Sequence, residues 1–315
     1  MNAPAHPTHV ILGAHGAVGR ALSPLLRAAG VSVRQVARTP RAAGGPDELF
    51  AADLLDAKRH AAAVAGAHTA YLLAGLPYDT AVWQRDWPRL MQHAIDACAQ
   101  HGTRLVFFDN VYAYGRVEGV MTEATTFNPC SRKGEVRARV AEQMLDAMRR
   151  GVIVGMIVRS ADFYYHGAAG ATNGLLNQAV IDRLRAGKTP QWLGSVDVPY
   201  SATWVPDIVR SMAHLVTRSD AWGQTWHALT SSQVVTARAL IDLACRLASQ
   251  PTRVQNASRA LVRVLGLFDR RLREQVEMLY QYEAPYRFDS SRLATMSGLV
   301  ATPYEDGIAA AWAAQ

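Results

Sequence analysis

Short apolar runs alternate with longer polar, helix-compatible stretches through the first half of the chain. Val10-Ile11-Leu12 closes the first run, a strand that begins by about His9. Further runs at 31–36, 49–52, 70–74, 104–108 and 152–158 are rich in branched and aromatic residues and read as strands. The 104–108 run has the character of a parallel strand buried on both faces. Between them, 20–29, 83–101 and 131–150 read as helices, with Pro88 expected to start or kink a turn in the second. Six strands alternating with helices predict an α/β fold, a doubly wound parallel sheet with right-handed crossovers.

Beyond Arg159 the alternation becomes irregular: 167–174 reads as a loop and 174–186 as a helix, and this part is expected to cap the carboxyl edge of the sheet. Trp204-Val205-Pro206-Asp207 precedes a helix through Val216, and Thr236 caps another through Ser249. The stretch 257–282 is amphipathic, with Leu261, Val262, Leu265, Leu267 and Phe268 set against Arg263, Arg270, Arg271 and Arg273. It predicts a surface helix packed on the core, the sharper alternatives being a lid over an apolar substrate or an interface helix.

A length of 315 residues and 50% apolar content fit one large domain, or a nucleotide domain with a smaller appended region. The formal charge of +7 is spread along the chain instead of forming a block or a recognition helix, so it favours anionic small ligands over nucleic acid. Only Lys58, Lys133 and Lys188 are lysines; the excess of arginine and alanine points to a GC-rich bacterial genome. Cys98, Cys130 and Cys245 form no disulfide framework or zinc pattern, which fits a reducing compartment. With no room for a signal peptide and no run long enough to span a bilayer, a cytoplasmic protein without a membrane role is expected. Zinc-protease spacing and a Gly-x-Ser-x-Gly turn are both missing.

The candidate chemistry begins at Gly13-Ala14-His15-Gly16-Ala17-Val18-Gly19, between the first strand and the first helix. There glycines permit a tight turn, close approach to a pyrophosphate and close helix packing, while the helix amino terminus faces the negative charge. This predicts dinucleotide binding. No acid lies between Val31 and Pro46 to accept from ribose hydroxyls; Arg34, Arg38 and Arg41 occupy that stretch instead. Arg38 stands just past the second strand, where a guanidinium pairs with a 2′-phosphate, so NADP(H) is favoured over NAD(H). His15 either touches the same phosphate or faces solvent. Asp53-Leu54 is placed to line the adenine pocket, unless Asp53 caps the next helix, and the small residues of Leu73-Ala74-Gly75 let the cofactor backbone pass.

These segments, followed by Phe107-Phe108-Asp109-Asn110-Val111-Tyr112-Ala113-Tyr114-Gly115, Trp204-Val205-Pro206-Asp207 and the late Phe288-Asp289 and 301–307 segments, occur in the order of a known family. The chain resembles the extended short-chain dehydrogenase/reductases, as an atypical branch of the NAD(P)-dependent epimerase/dehydratase-like group. The resemblance runs from about residue 8 to near the carboxyl terminus. It implies a Rossmann-like sheet, with residues 1–160 binding NADP and 161–315 mostly binding substrate and capping the sheet, some segments returning to the core. It also implies a homodimer through the helices 83–101 and 131–150. The family normally carries a Ser and a Tyr-x-x-x-Lys pair; here the alignment puts Asn110, Gly134 and Ala138 at those positions.

Lys133, one residue before the vacant Tyr position, is expected to reach the nicotinamide ribose or a substrate oxygen, with Gly134 leaving space beside the ring; the alternative is an exposed lysine. Tyr112, Tyr164 and Tyr165 are the candidate proton donors, and Asp162 and His166 either orient the substrate or hold their loop. The pocket is expected between residues 76–78, 110–114 and 162–167. The leading expectation is an NADP-dependent oxidoreductase that reduces a carbonyl or activated double bond of a small, partly apolar substrate. A non-catalytic NADP-binding regulator or redox sensor, and a sugar-nucleotide epimerase or dehydratase, are the alternatives.

Overall fold

The apolar runs assemble into one parallel sheet. The computed structural model describes residues 8–41, 45–166 and 174–313. Its central strands are β1 (Thr8–Leu12), β2 (Ser32–Ala37), β3 (Glu48–Ala51), β4 (Thr69–Leu72), β5 (Arg104–Asp109), β6 (Gly155–Arg159) and β7 (Thr225–His227). They lie in the order 7-6-5-4-1-2-3, every neighbouring pair parallel. Ile11 pairs with Gln35 on one side and Tyr71 on the other, so the winding reverses at β1. The crevice above the carboxyl ends of β1 and β4 is therefore the switch point, where ligands bind in such sheets. The architecture is the Rossmann-like, doubly wound α/β fold.

Both faces are covered by amphipathic helices. α1 (Ala17–Ala28) buries Val18, Leu22 and Leu26 at four-residue spacing and packs beside α5 (Val205–Leu215) on one face. α2 (Ala57–Val64), α3 (Thr80–His101) and α4 (Arg132–Arg149) cover the other. Asp56, Asp79 and Ser131 cap α2, α3 and α4 by accepting from first-turn N–H groups, which fixes where each helix starts. A third core, around Trp192, Tyr200 and Tyr282, lies in the later part of the chain. It is bordered by helical residues 176–185 and by two-stranded parallel pairs such as Asp162–Tyr164 with Ala202–Trp204.

Several expectations are corrected. α3 passes through Pro88 without a break. An interior proline costs about 3 kcal/mol, but Trp83, Trp87, Leu90, Met91 and Ile95 are buried along the same helix, each contributing about 1.5–3 kcal/mol. Residues 152–154 precede β6 instead of belonging to it, and Val152 and Val154 are exposed. β7, only three residues long, carries too little pattern to be seen in the sequence. The single amphipathic helix over 257–282 is replaced by the helices Arg259–Leu265, Arg270–Val276 and Tyr280–Glu283. The loop expected at 167–174 lies, as far as residue 173, outside the described residues.

Candidate functional site

The glycine turn has a physical reason at two of its three glycines. Gly13 has φ +98°, and a Cβ there would sit 2.6 Å from the backbone of Ala74. The ends of β1 and β4 thus touch backbone to backbone. A Cβ on Gly19 would sit 2.7 Å from the carbonyl oxygen of Ala14, so α1 packs directly on the turn. Gly16 has no such close contact, and no side chain caps the amino terminus of α1. The N–H groups that open α1, around Ala17 and Val18, consequently remain available for an anion. This is the cradle that the phosphates of a dinucleotide require.

The cations past β2 divide into two kinds. Arg34 pairs with Glu48 at 2.8 Å and donates to the carbonyls of Ala63 and Ala65, so it is engaged in the sheet edge. Arg38 is exposed and has no ion-pair partner among the described residues. His15 accepts from the backbone N–H of Arg41 at 3.1 Å, which ties the glycine turn to the loop after β2. Asp53 is exposed and accepts from the N–H of Leu55, forming a local turn, while the cap of α2 is Asp56. Leu54 packs against the core beneath α2 and α3, and its carbonyl faces His60 and His93.

Above the carboxyl ends of β4, β5 and β6 lies a cavity. Leu73, Ala74, Gly75, Leu76 and Tyr78 form one wall, Asn110 and Tyr112 the next, and Ala161, Asp162 and Phe163 the third. The pocket expectation for 76–78, 110–112 and 162–163 agrees with this lining. Tyr114 does not join it: its hydroxyl contacts Nε2 of the buried His227 at 2.8 Å. The sequence reading missed Trp83, Trp87, Arg137, Gln281, Tyr282 and Tyr286, which complete the walls. For the last three, the available signal is the density of tyrosines over 280–286.

Polar groups in the cavity are held by one another. Tyr112 stacks on Trp83 with ring centroids 6.1 Å apart, and Tyr78 and Gln281 line the same cavity. Burial raises its pKa, opposed by Tyr78 and by the charge of Arg137, so the phenol keeps its proton at neutral pH. Asp162 accepts from the hydroxyl of Tyr200 at 2.5 Å and from the N–H of Leu175 at 2.9 Å. Burial nevertheless pushes its carboxyl up to about 6. Asn110 accepts from the N–H of Tyr112 at 3.0 Å, which sets the turn that carries the phenol.

Three expected site residues are placed elsewhere. Lys133 is fully buried, its Nζ bonded to Glu277 at 2.8 Å, Glu274 at 2.5 Å and the Thr80 hydroxyl at 2.9 Å, and lying over the ring of Tyr78. It is neither an exposed lysine nor a free ammonium beside the cavity. Tyr164 is buried against Trp204, and its hydroxyl fills the space that a side chain on Gly307 would need. Tyr165 packs on Trp204 and His166 and does not line the cavity. Gly134 leaves no room for a ligand either: a Cβ there would sit 2.7 Å from the carbonyl oxygen of Tyr112.

The sequence profile of the NAD dependent epimerase/dehydratase family matches residues 9–227. The chain belongs to this family. No curated protein matches it in sequence. Among solved structures, it is similar to MoeE5 in complex with UDP-glucuronic acid and NAD, at 20% identity, TM-score 0.76, and 96% and 97% coverage of the two chains. A second is the UDP-glucose 4-epimerase of Thermus thermophilus in complex with NAD, at 15% identity, TM-score 0.77 and 97% of each chain. A third is a short-chain dehydrogenase/reductase superfamily protein of Agrobacterium tumefaciens with bound NAD, at 18% identity, TM-score 0.74 and 96% of each chain. At these identities the likeness speaks to the fold. Lys133 and Arg137 stand one residue before Gly134 and Ala138, and both are buried in ion pairs.

Proposed function

We propose that the protein is an NADP(H)-dependent oxidoreductase that reduces a carbonyl or an activated double bond of a small, partly apolar compound. The observation that carries the reading is the meeting of Tyr112 with Leu73, Ala74 and Gly75 in one aromatic cavity beside the switch point of the sheet, where Ala74 touches Gly13. The dinucleotide-bound neighbours of the same fold support the choice of cofactor class. Residues 1–160 would hold the cofactor: the turn at Gly13, Gly16 and Gly19 with the start of α1 its pyrophosphate, and Arg38 a 2′-phosphate. When bound, the dinucleotide supplies a hydride.

The chain's own residues supply the rest. Trp83, Tyr282 and Tyr286 exclude water and present flat apolar walls to the substrate. Tyr112 holds a proton at neutral pH and gives it to the oxygen or carbon that becomes basic on reduction. Arg137 lowers the cost of the phenolate left behind, because its charge favours the ionised form of Tyr112. Asp162, poised at about 6, stands in another wall of the same cavity as a second proton carrier.

Engagement of Lys133 and the closed space at Gly134 favour a second reading, a protein that binds NADP(H) without turnover. Following NADPH absorbance with a panel of aldehydes, ketones and enones, beside a fluorescence titration of NADPH, separates the two. Oxidation with any member supports the reductase. Tight binding with no oxidation across the panel supports the second reading, and failure to bind either NADPH or NADH overturns both.

A further inference from the structure

The hairpin formed by Arg259–Leu265 and Arg270–Val276 exposes more apolar surface than its size explains. Of ten large apolar side chains exposed among the described residues, five fall within 261–268: Leu261, Val264 and Leu265, with Leu267 and Phe268 at 73% and 87%. In that helix only Val262 reaches the core. The exposure is greatest at the turn, where Gly266 lets the two helices meet closely: a Cβ there would lie 3.1 Å from the backbone of Arg273. A cluster of exposed apolar side chains of this kind, at and before the turn between two helices, marks an interaction surface.

Charge identifies the partner. Residues 259–273 carry five arginines against one aspartate. Arg259 is paired with Glu283 at 3.1 Å, but Arg263 and Arg273 are exposed and have no ion pair among the described residues. Two copies of this surface would bring like charges together, which opposes self-association through it. A bilayer interface satisfies both features, since Leu and Phe enter the headgroup and acyl boundary while guanidinium groups meet lipid phosphates. We propose that the 259–276 hairpin docks the protein on an anionic phospholipid surface. No membrane-crossing helix is needed for this, and none is found among the described residues. The hairpin is held to the body by Glu274 and Glu277 on Lys133, and Gln281, Tyr282 and Tyr286 of the cavity wall follow it directly in the chain. Docking would bring this wall close to lipid, so a substrate dissolved in the bilayer would have a short path to it.

The test is sedimentation of the full chain with vesicles of pure phosphatidylcholine and of an equal mixture with phosphatidylglycerol. The expected result is binding to the mixed vesicles, little to the neutral ones, and release by high salt. The double variant Leu267→Ser/Phe268→Ser should lose about tenfold or more in affinity. Arg263→Gln/Arg273→Gln should lose on the order of twentyfold. All four side chains are solvent-exposed, so both variants should keep the parent's melting curve. Absence of binding to either vesicle, or binding by the Leu267/Phe268 variant equal to the parent's, overturns the proposal. So does a parent dimer in sedimentation equilibrium that the same variant dissociates, because the patch would then serve a second copy.

Discussion

Lys133 and Glu274 form a 2.5 Å ion pair whose lysine is fully buried and whose glutamate belongs to the helix Arg270–Val276. With Glu277 and Thr80 it joins the starts of α3 and α4 to the segment that closes the cavity. Lys133→Met should therefore weaken the fold more than it weakens cofactor binding. Breaking a buried pair costs about 3–5 kcal/mol, but both glutamates keep some solvent contact and can be rehydrated, so about 2 kcal/mol is expected. Urea denaturation and proteolysis within 259–283 would register the loss. Unchanged stability with a tenfold weaker NADPH affinity would instead restore a ribose-binding role for Lys133.

Arg38 and Arg34 are four residues apart in sequence, yet only Arg34 is engaged in the sheet. If Arg38 pairs with a 2′-phosphate, Arg38→Ala should raise the Kd for NADPH on the order of tenfold or more, the loss of one charge-assisted contact. The Kd for NADH should barely move. Equal effects on the two dinucleotides would sink the assignment.

How far the sequence is legible follows from how local each signal is. The glycine turn, most of the strand runs and the cap at Thr236 are set by neighbours in the chain, and the structure reproduces them. Pro88 was misleading because distant packing of Trp83 and Trp87 outweighs its local cost. Lys133 and Tyr164 share their difficulty with Arg137: each partner lies far along the chain, Glu274 for the lysine, Gly307 for the tyrosine, Asp109 for the arginine. Periodicity carries no information about such pairings. The cavity wall from 281 to 286 was hidden for the same reason, since its register depends on the break of the 257–282 helix into three.

Gly134 and Tyr112 offer a direct test of how the site departs from its family. Because a Cβ at Gly134 meets the Tyr112 carbonyl at 2.7 Å, Gly134→Ala should displace the turn that carries the phenol and cost about 1–3 kcal/mol of stability. Tyr112→Phe removes only the hydroxyl. If the phenol is the proton donor, kcat should fall on the order of a hundredfold or more while NADPH affinity is retained. Turnover by Tyr112→Phe at the parent rate would assign the proton to another group, Asp162 first.

The pH dependence of stability sets buried histidines against Asp162. Burial lowers His9 and His60 to about 4 and His227 to about 3, so each is neutral in the fold and takes up a proton on unfolding below 6.5. Their contribution is present above that pH and is lost as pH falls toward the folded values. Asp162 acts with the opposite sign: its carboxyl is raised from 3.8 to about 6, so the fold gains stability as pH falls through that window. Each group changes stability by at most about 1.4 kcal/mol per pH unit. Three histidines against one aspartate leave a net loss of at most roughly 3 kcal/mol per unit between pH 6 and 4. Asp162→Asn removes the opposing contribution, and its amide oxygen can still accept from Tyr200 and Leu175. The variant should be more stable than the parent at pH 7, by about 1–3 kcal/mol, with the gain shrinking toward pH 4. Urea denaturation of both proteins at pH 7 and pH 5 measures this. An equal destabilisation of the variant at both values would show that Asp162 is ionised and stabilising in the fold.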